Sequence, residues 1–333
     1  MVSTVVIGGF FGDEGKGKII SYLALHDKPS IVVRGGAGPN AGHTIKDGEK
    51  VYKVRMLPSG FLNKDAKVMV GPGVVVNPDV LLKEINDFGV EGRAFLDYNC
   101  GIIEKSHRDA DSQGMLKEKI GSTGSGTGPA NAERAMRTLK MAKEIDELKP
   151  YLVDVPLEVN SALDRNENVL IEGTQGTHLS LWHGTYPFVT TKDVTASGIC
   201  ADVGIGPKKI DDVIVVFKAY LTRVGTGPMP GELSAEETSA KGWEEFGTVT
   251  GRLRRAAEFD FVLAKRAVML SSANQISITK LDVRFPNCAG VTSYDELDDA
   301  AKSFITNIEK ELGVKVTLIG TGPSINEVID LRV

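Results

Sequence analysis

Short runs of β-branched and other apolar residues alternate with helix-like segments along the whole of this 333-residue chain. The runs predict strands at residues 2–7, 30–33, 66–70, 94–98, 168–172, 212–217, 275–279 and 314–319. Alternation of this kind favours βαβ units on a mainly parallel sheet. The predicted fold class is therefore α/β, a central and mainly parallel sheet flanked by helices, with ligand-binding loops at the carboxyl ends of strands.

Five segments have the pattern of helices, and one has the pattern of a hairpin. The helices are predicted at residues 15–25, 79–88, 130–148, 259–270 and 296–312. Asn77 is expected to cap the second of them, because Pro78 follows in the first turn. A hairpin is predicted around Asp47-Gly48. No repeat, linker or shift of composition divides the chain, so we expect a single domain over residues 1–333.

Charge and cysteine content exclude several classes of protein. The net charge of −5 gives no overall positive field that would recruit nucleic acid. Cys100, Cys200 and Cys288 are too far apart for a metal site or a disulfide framework, which suits a reducing compartment. The longest apolar run is far below the roughly 18 residues of a membrane span, and the N-terminus does not resemble a signal peptide. We expect a cytoplasmic protein without nucleic-acid or membrane partners.

Glycine is over-represented, with 37 residues, and many of these glycines follow predicted strands. The first cluster, GGFFGDEGKGK (8–18), lies between a strand and a helix, where backbone N–H groups can face a phosphate and Lys16 or Lys18 can add charge. The cluster differs from both the Walker A and the G-x-G-x-x-G patterns. Asp13 and Glu14 inside it would be repelled by a polyphosphate, so a cation ligand or a proton acceptor is expected, with helix capping as the alternative.

Three further clusters present polar groups on loops. RGGAGPNAGHT (34–44) places His43 on an open loop, where it can transfer a proton near neutral pH. GSTGSGTGPANAERAMR (121–137) has the pattern of an anion-binding nest before a helix, or of a flexible linker. EGTQGTHLSLWHGTYPFVT (172–190) presents Gln175, Thr185 and Thr190, whose amide and hydroxyls suit a neutral heterocycle or a ribose.

Two basic motifs complete the set. GTVTGRLRRAAEFD (247–260) carries three arginines that suit a clamp on carboxylate or phosphate, although a solvated basic face is the alternative. ITKLDV (278–283) ends a predicted strand and is similar to the N-K-x-D guanine reader. In that reader the aspartate accepts hydrogen bonds from the ring N1–H and the 2-amino group.

In this order and at these spacings, the motifs resemble the adenylosuccinate synthetase family in its compact archaeal form. The resemblance extends over nearly the whole chain, from GGFFGDEGKGK through GPNAGHT, GSTGSGTGPA, EGTQG, TRVGTGP, TVTGRLRR and TKLDV to GTGPSINEVIDL. It implies a P-loop-like GTP-binding ligase fold. It also implies the first committed step from IMP to AMP, in which IMP, L-aspartate and GTP give adenylosuccinate, GDP and phosphate through 6-phosphoryl-IMP, with Mg²⁺.

The resemblance also implies roles for individual residues. Asp13 would remove the proton from ring N1, His43 would act as an acid at the 6-oxygen, and Asp13 and the Gly42 carbonyl would bind the metal. GTP would be bound by Gly12, Asp13, Glu14, Gly15, Lys16, Gly17, Lys18, Gly42, His43, Thr44, Arg254, Lys280, Leu281, Asp282, Gly320, Thr321 and Gly322. IMP would be bound by Asp13, Glu14, Gly15, Lys16, Asn40, Ala41, Gly42, His43, Thr123, Arg137, Gln175, Thr190 and Arg252. Aspartate would be bound by Thr248, Val249, Thr250, Gly251, Arg252, Leu253 and Arg254. Arg137 would reach the neighbouring active site of a homodimer.

The sequence departs from the family pattern at four places and leaves two alternatives. Phe10-Phe11 replaces Gln-Trp, Gly231 replaces a threonine, Ala256-Ala257-Glu258 stands where a Gly-Trp pair is common, and Gly320 replaces a serine. These changes are expected to affect affinity and loop closure. One alternative is a phage-type relative that acts on dGMP, which typically lacks aspartate at position 13. The other is a GTP-binding switch module, which would leave His43 and the RLRR loop unexplained.

Overall fold

A computed structural model describes residues 3–114, 116–246, 251 and 253–332. Its strands are β1 (Ser3–Gly8), β2 (Ile31–Arg34), β3 (His43–Asp47), β4 (Lys50–Val54), β5 (Lys67–Val70), β6 (Val75–Val76), β7 (Ala94–Asp97), β8 (Gly101–Ile102), β9 (Leu152–Val153), β10 (Val169–Glu172), β11 (Asp212–Lys218), β12 (Leu221–Arg223), β13 (Arg255–Ala257), β14 (Gln275–Thr279), β15 (Val316–Gly320) and β16 (Val328–Asp330). Ten of these strands form one sheet in the order β16, β15, β14, β11, β1, β10, β2, β5, β7, β9. β16 is antiparallel to β15, and the other neighbours in this sheet pair in parallel.

Helices cover the sheet. They are α1 (Lys16–His26), α2 (Pro78–Phe88), α3 (Lys105–Asp111), α4 (Thr127–Met136), α5 (Val155–Asp164), α6 (Ala196–Val203), α7 (Ala235–Ala240), α8 (Phe261–Ser271), α9 (Leu281–Arg284) and α10 (Asp299–Leu312). Short 3-10 turns occur at Ser59–Leu62, Ala142–Glu144, Asp146–Tyr151, Thr177–Leu179, Pro207–Lys209, Pro286–Cys288 and Tyr294–Glu296, and a π-helical turn at Leu116–Ile120.

The predicted α/β class and all eight predicted strands are confirmed, and each of these strands belongs to the ten-stranded sheet. The hairpin is confirmed as the β3–β4 pair, in which Asp47 is opposite Lys50. The cap of α2 is confirmed as well, since the Asn77 side chain accepts a hydrogen bond from Val80 N at 3.3 Å. Four of the five predicted helices correspond to α1, α2, α8 and α10.

The helix predicted over residues 130–148 is wrong. α4 begins at Thr127 and ends at Met136, because Arg137 adopts a left-handed conformation with φ of 67°. Two 3-10 turns replace the second half of the predicted helix. No glycine or proline marks residue 137, so the sequence carries no ordinary signal for this helix end.

The central strands β1, β10 and β11 are buried on both faces over nearly their whole length, which their unbroken apolar runs explain. Phe10, in the first loop, extends this core: its ring lies 4.8 Å from that of Phe217 and 5.2 Å from that of Phe259. The three cysteines are free and buried, and burial raises the pKa of the Cys200 thiol to about 11. Within the described residues, no helix combines the length and the apolar character that crossing a membrane requires.

Candidate active site

The loops that follow β1, β2, β10 and β14 open into one cavity of about 840 Å³, within the usual size range for small-molecule sites. This convergence is expected for a parallel sheet, whose strand ends share one edge. The predicted site residues that line the cavity are Gly12, Asp13, Gly15, Lys16, Gly17, Lys18, Asn40, Ala41, Gly42, His43, Thr44, Thr123, Gln175, Thr190, Arg254, Lys280 and Gly322.

The loop between β1 and α1 has the conformation that its glycines predicted. Gly12 and Gly15 have φ values of 86° and 80°, and Asp13 between them also has a positive φ of 62°. Gly15 is the N-cap residue of α1 and has no side chain that could accept a hydrogen bond from the first turn. The first N–H groups of α1 are therefore free of side-chain capping and form, with the helix dipole, a favourable position for an anion.

Glu14 and Asp13 point in different directions. The buried Glu14 carboxylate accepts hydrogen bonds from Phe10 N at 3.0 Å and Gly12 N at 2.7 Å, and from the Lys16 ammonium at 2.9 Å. It thus holds the loop together from inside. The Asp13 carboxylate lines the cavity with 26% of its side chain exposed. Of the two acidic residues, Asp13 has the side chain placed to act on a ligand.

A buried carboxylate that the sequence did not single out orients His43. Glu172, the last residue of β10, has Oε1 2.6 Å from His43 Nδ1, and it also accepts hydrogen bonds from the Ser59 backbone and hydroxyl at 2.5 and 3.0 Å. Burial alone would raise the pKa of Glu172, but His43, Arg34 and the Ser59 N–H outweigh it, so that this pKa is lowered. Glu172 is therefore ionised at neutral pH.

Burial lowers the pKa of His43, and the charge and hydrogen bond of Glu172 oppose that shift. The imidazole consequently donates Nδ1–H to Glu172 and turns its other nitrogen away from the buried network. Arg34 holds the loop before His43 in place, because its guanidinium donates hydrogen bonds to the Ala41 and Leu57 carbonyls, each at 3.2 Å. His43 is thus held in one orientation at the wall of the cavity.

Amide and hydroxyl groups line another part of the cavity. Gln175 donates to the Asn40 side-chain oxygen at 3.1 Å, and Asn40 donates to the Thr190 hydroxyl at 3.4 Å. The hydroxyls of Thr123 and Ser125 lie 2.9 Å apart, just before α4. The structure therefore brings together residues from three of the predicted loops, with neutral donors and acceptors that suit a nucleotide.

Arg254 bridges two carboxylates at the cavity. Its Nε lies 3.0 Å from Asp13 Oδ2, and its Nη1 is paired with Glu245. Glu245 also accepts a hydrogen bond from Lys218 Nζ at 2.7 Å and another from the Tyr220 hydroxyl. Burial alone would raise the pKa of Glu245, but Lys218, Lys280 and Arg254 lower it to about 2. This cluster links the arginine loop to the phosphate loop.

Lys218 and Glu245 were missed by sequence reasoning. Lys218 ends the apolar run of β11, and a lysine directly after a buried strand was a usable signal, because strand ends carry the ligand loops. Glu245 had no such signal, since its role depends on cations from β11, the arginine loop and the segment after β14.

The T-K-x-D segment follows β14, as predicted. Lys280 has a positive φ of 58° and lines the cavity. Asp282 Oδ1 is buried without a hydrogen-bond partner in the described part of the chain, and Asp282 is not among the described residues that line the cavity. Leu281 and Thr321 are buried in the core, and the Thr321 hydroxyl donates to the Val291 carbonyl at 2.6 Å. Their side chains serve the fold at this end of the cavity.

The remaining predicted residues lie elsewhere. Arg137, at the exposed end of α4, does not line the cavity of its own chain among the described residues. Gly251 is exposed and Leu253 is 52% exposed. The predicted ligands Thr248, Val249, Thr250 and Arg252 fall outside the described residues.

A family model described as Adenylosuccinate synthetase matches residues 5–145 and 139–286 of the chain. The chain belongs to the adenylosuccinate synthetase family. The adenylosuccinate synthetase of Methanocaldococcus jannaschii is 57% identical over 336 residues, which cover 100% of this chain and 97% of that relative. The adenylosuccinate synthetase of Archaeoglobus fulgidus is 54% identical over 334 residues, which cover 100% and 99%.

Two solved structures share the fold over the whole chain. The structure of fully ligated adenylosuccinate synthetase from Plasmodium falciparum superposes with a TM-score of 0.91 at 28% identity and full coverage of both chains. The succinoaminodeoxyadenylate synthetase of cyanophage S-2L, bound to dGMP and dATP, gives a TM-score of 0.85 at 26% identity, with 100% and 97% coverage. Membership of the adenylosuccinate synthetase family makes the chain an enzyme, a ligase that joins IMP and aspartate.

Proposed function

We propose that the cavity forms adenylosuccinate from IMP and L-aspartate, with GTP as the phosphoryl donor and 6-phosphoryl-IMP as the intermediate. The observation that carries this proposal is the placement of Asp13 and His43 on the same cavity as the phosphate loop and the T-K-x-D segment. A base and an acid beside two nucleotide-binding regions suit the activation of a ring oxygen by phosphorylation.

In the first step, Asp13 removes the proton from N1 of the hypoxanthine ring. The electron pair of the N–H bond moves into the ring, and negative charge develops on the 6-oxygen, which attacks the γ-phosphoryl group of GTP. GDP leaves. Arg254 Nε lies 3.0 Å from the Asp13 carboxylate. When Arg254 binds a substrate group instead, the carboxylate is free to accept the proton. Lys16 and the N–H groups at the start of α1 stabilise charge on the phosphoryl group.

In the second step, the neutral amine of aspartate attacks carbon 6, the bond between carbon 6 and the phosphorylated oxygen breaks, and phosphate leaves with the proton that the amine nitrogen loses. His43 in its protonated form keeps Nδ1–H on Glu172 and donates Nε2–H to the 6-oxygen and then to the phosphoryl group that this oxygen carries. The ionised Glu172 at Nδ1 supports a positive charge on the imidazole during this step. Arg254 and the residues before it bind the two carboxylates of aspartate by paired hydrogen bonds.

The donor set also fits Mg²⁺, which we propose as the metal. The Asp13 carboxylate and the Gly42 carbonyl line the same cavity. Magnesium prefers oxygen ligands and takes several of them from water and phosphates, so two protein ligands suffice. This agrees with the described residues, among which no group of three His, Cys, Asp or Glu residues is placed to bind a metal. When bound, the ion neutralises charge on the phosphates.

We also propose one domain and a homodimer. The ten-stranded sheet includes strands from Ser3 to Asp330, which supports a single domain over the chain. Arg137 is exposed and is not among the described residues that line the cavity of its own chain, which supports a role at the IMP phosphate of a neighbouring subunit.

The test is a purified-enzyme assay of adenylosuccinate formation with IMP or dGMP, and with GTP or ATP. We expect product with IMP, aspartate and GTP together, and no GTP turnover when either IMP or aspartate is omitted. Exclusive use of dGMP would instead support the phage-type activity, and fast GTP hydrolysis without IMP and aspartate would support the switch module. Asp13→Asn should lower kcat by about 10²–10⁴-fold and change IMP binding much less, and a near-normal kcat would contradict the base role.

A further inference from the structure

The backbone of Lys18 belongs to α1, next to the phosphate loop, but its side-chain ammonium contacts the loop after β15. The side chain is 7% exposed. Its Nζ donates hydrogen bonds to the Gly322 carbonyl at 2.6 Å and to the Glu327 carbonyl at 2.7 Å. Two of its three N–H donors are thereby used at the loop after β15. Lys16, by contrast, pairs with Glu14 within the phosphate loop.

The loop after β15, residues 321–327, is a compact turn that Lys18 joins at both ends. The Glu327 carbonyl also accepts a hydrogen bond from Thr321 N at 3.0 Å, and the Glu327 carboxylate accepts one from Ser324 N at 2.6 Å. A Cβ atom at Gly322 would lie 2.4 Å from that carboxylate, so a side chain there would displace the Glu327 carboxylate from the turn. Lys18 therefore fixes how far this turn extends into the cavity.

The end of β15, directly before this turn, lies beside the start of the T-K-x-D segment. A Cβ atom at Gly320 would lie 3.3 Å from Lys18 Nζ and 3.5 Å from the Cα atom of Thr279, the residue before Lys280. Lys18, Lys280 and Gly322 line the cavity together. Burial lowers the pKa of Lys18 to about 8, while the Asp282 and Glu327 carboxylates oppose this shift, so the ammonium is mostly charged at pH 7.

We propose that Lys18 is a positioning residue for the base of the nucleoside triphosphate: by binding the Gly322 and Glu327 carbonyls, it holds the loop after β15 at the distance from Asp282 that a guanine ring requires. The inference rests on the proposed function, in which GTP is the donor. It gives Lys18 a role at the base, in place of the phosphate role that its position in GGFFGDEGKGK suggests. The fixed loop favours guanine over adenine.

The test compares ligands with and without a base. Lys18→Met and wild type are titrated by calorimetry with GTP, ATP and inorganic tripolyphosphate. Loss of two charge-assisted hydrogen bonds should raise the Kd of GTP by about tenfold or more, while the Kd of tripolyphosphate stays within about twofold. In steady state, the KM of GTP should rise more than kcat falls. Lys310→Met, on the exposed face of α10, is the control for loss of one charge.

An equal loss of affinity for GTP and tripolyphosphate would overturn the proposal in favour of a phosphate role, and so would an unchanged Kd for GTP. Lys18→Cys alkylated with 2-bromoethylamine rebuilds a lysine-like side chain and should restore GTP affinity. Wild type treated in parallel is the matched control, because it reports any effect of alkylation at the three native cysteines. If Lys18→Met does not fold, Lys18→Cys before and after alkylation supports the same comparison. Wild type that binds GTP but forms no adenylosuccinate would contradict the proposed function and leave this test intact.

Discussion

At the scale of single residues, the neighbours Asp13 and Glu14 show what a sequence motif leaves open. Both were expected to act at the phosphate site. The positive φ of Asp13 and Gly12 turns successive side chains in different directions, so Glu14 binds the loop from inside and Asp13 faces the cavity. The residue types and their position after a strand were predictable. The direction of each side chain was not, because it depends on backbone angles that the motif does not specify.

The contact between Glu172 and His43 predicts a change in pH dependence. Since the ionised carboxylate opposes the lowering of the His43 pKa by burial, Glu172→Gln should lower that pKa further. Protonated His43 is then lost at lower pH, and the basic limb of the kcat profile should move to lower pH. Measuring kcat at saturating substrates across the neutral range tests this. Glu84→Gln removes a buried carboxylate that binds backbone N–H groups of residues 55–57, and it should leave the limb in place.

The ion pairs of Glu245 predict that its substitution lowers the free energy of unfolding by an amount that depends on pH. Its pKa is about 2 in the folded chain against an ordinary value of 4.5. The lowered pKa means that its stabilising contribution is complete above pH 4.5 and is lost as the pH falls towards 2. Glu245→Gln should therefore lower the free energy of unfolding by about 3 kcal/mol at pH 7, and by about half of that or less at pH 3. Urea unfolding at both pH values measures this, with the exposed Glu236→Gln as control; an equal loss at both would contradict the assignment.

At the scale of elements, strands were more predictable than helices. The predicted strands were runs of β-branched and other apolar residues between polar turns, a composition that suits burial on both faces. The helix ends depended on single residues. Asp298 caps α10 by accepting from Ala301 N at 2.8 Å, so the helix begins three residues later than predicted, at Asp299. α4 ends at Met136, and Arg137 directly after it adopts a left-handed conformation although arginine is a good helix former.

The left-handed conformation of Arg137 predicts that Arg137→Gly and Arg137→Leu differ in stability but impair IMP binding alike. A left-handed conformation costs a non-glycine residue about 1 kcal/mol, and glycine is favoured after a helix end. Arg137→Gly should therefore be more stable than Arg137→Leu by about 0.5–1 kcal/mol. Both should raise the KM of IMP, since both remove the guanidinium. Unfolding at matched protein concentration and steady-state kinetics test the two statements, and an Arg137→Gly chain less stable than Arg137→Leu would contradict the conformational argument.

At the scale of the whole molecule, the order of the strands in the sheet could not be predicted from the sequence. β1 lies between β10 and β11, which are more than 160 residues away in the chain. Local patterns predict that a segment is a strand but carry no information about such distant partners. The motifs nevertheless predicted that their loops would meet, because parallel strands bring their carboxyl ends to one edge. The cavity confirms that convergence for the loops after β1, β2, β10 and β14.

If two subunits share residues in each active site, mixing two inactive variants should restore activity and thereby reveal the homodimer. If Arg137 completes the neighbouring site, Asp13→Ala and Arg137→Leu subunits form a mixed dimer with one site intact, which has Asp13 from one subunit and Arg137 from the other. Random exchange makes about half of the dimers mixed, with half of their sites intact, so about a quarter of wild-type activity should return at low IMP concentration.

The control for this experiment places both defects in one chain. Mixing Asp13→Ala with the double variant Asp13→Ala/Arg137→Leu leaves every site without Asp13, so no activity should return. Co-expression followed by separation of the mixed dimer through two different affinity tags removes the need for subunit exchange. A mixed dimer that is no more active than its parents, although it is a dimer by sedimentation, would show that Arg137 serves its own subunit or none. The exposed arginine at the end of α4 would then need another explanation.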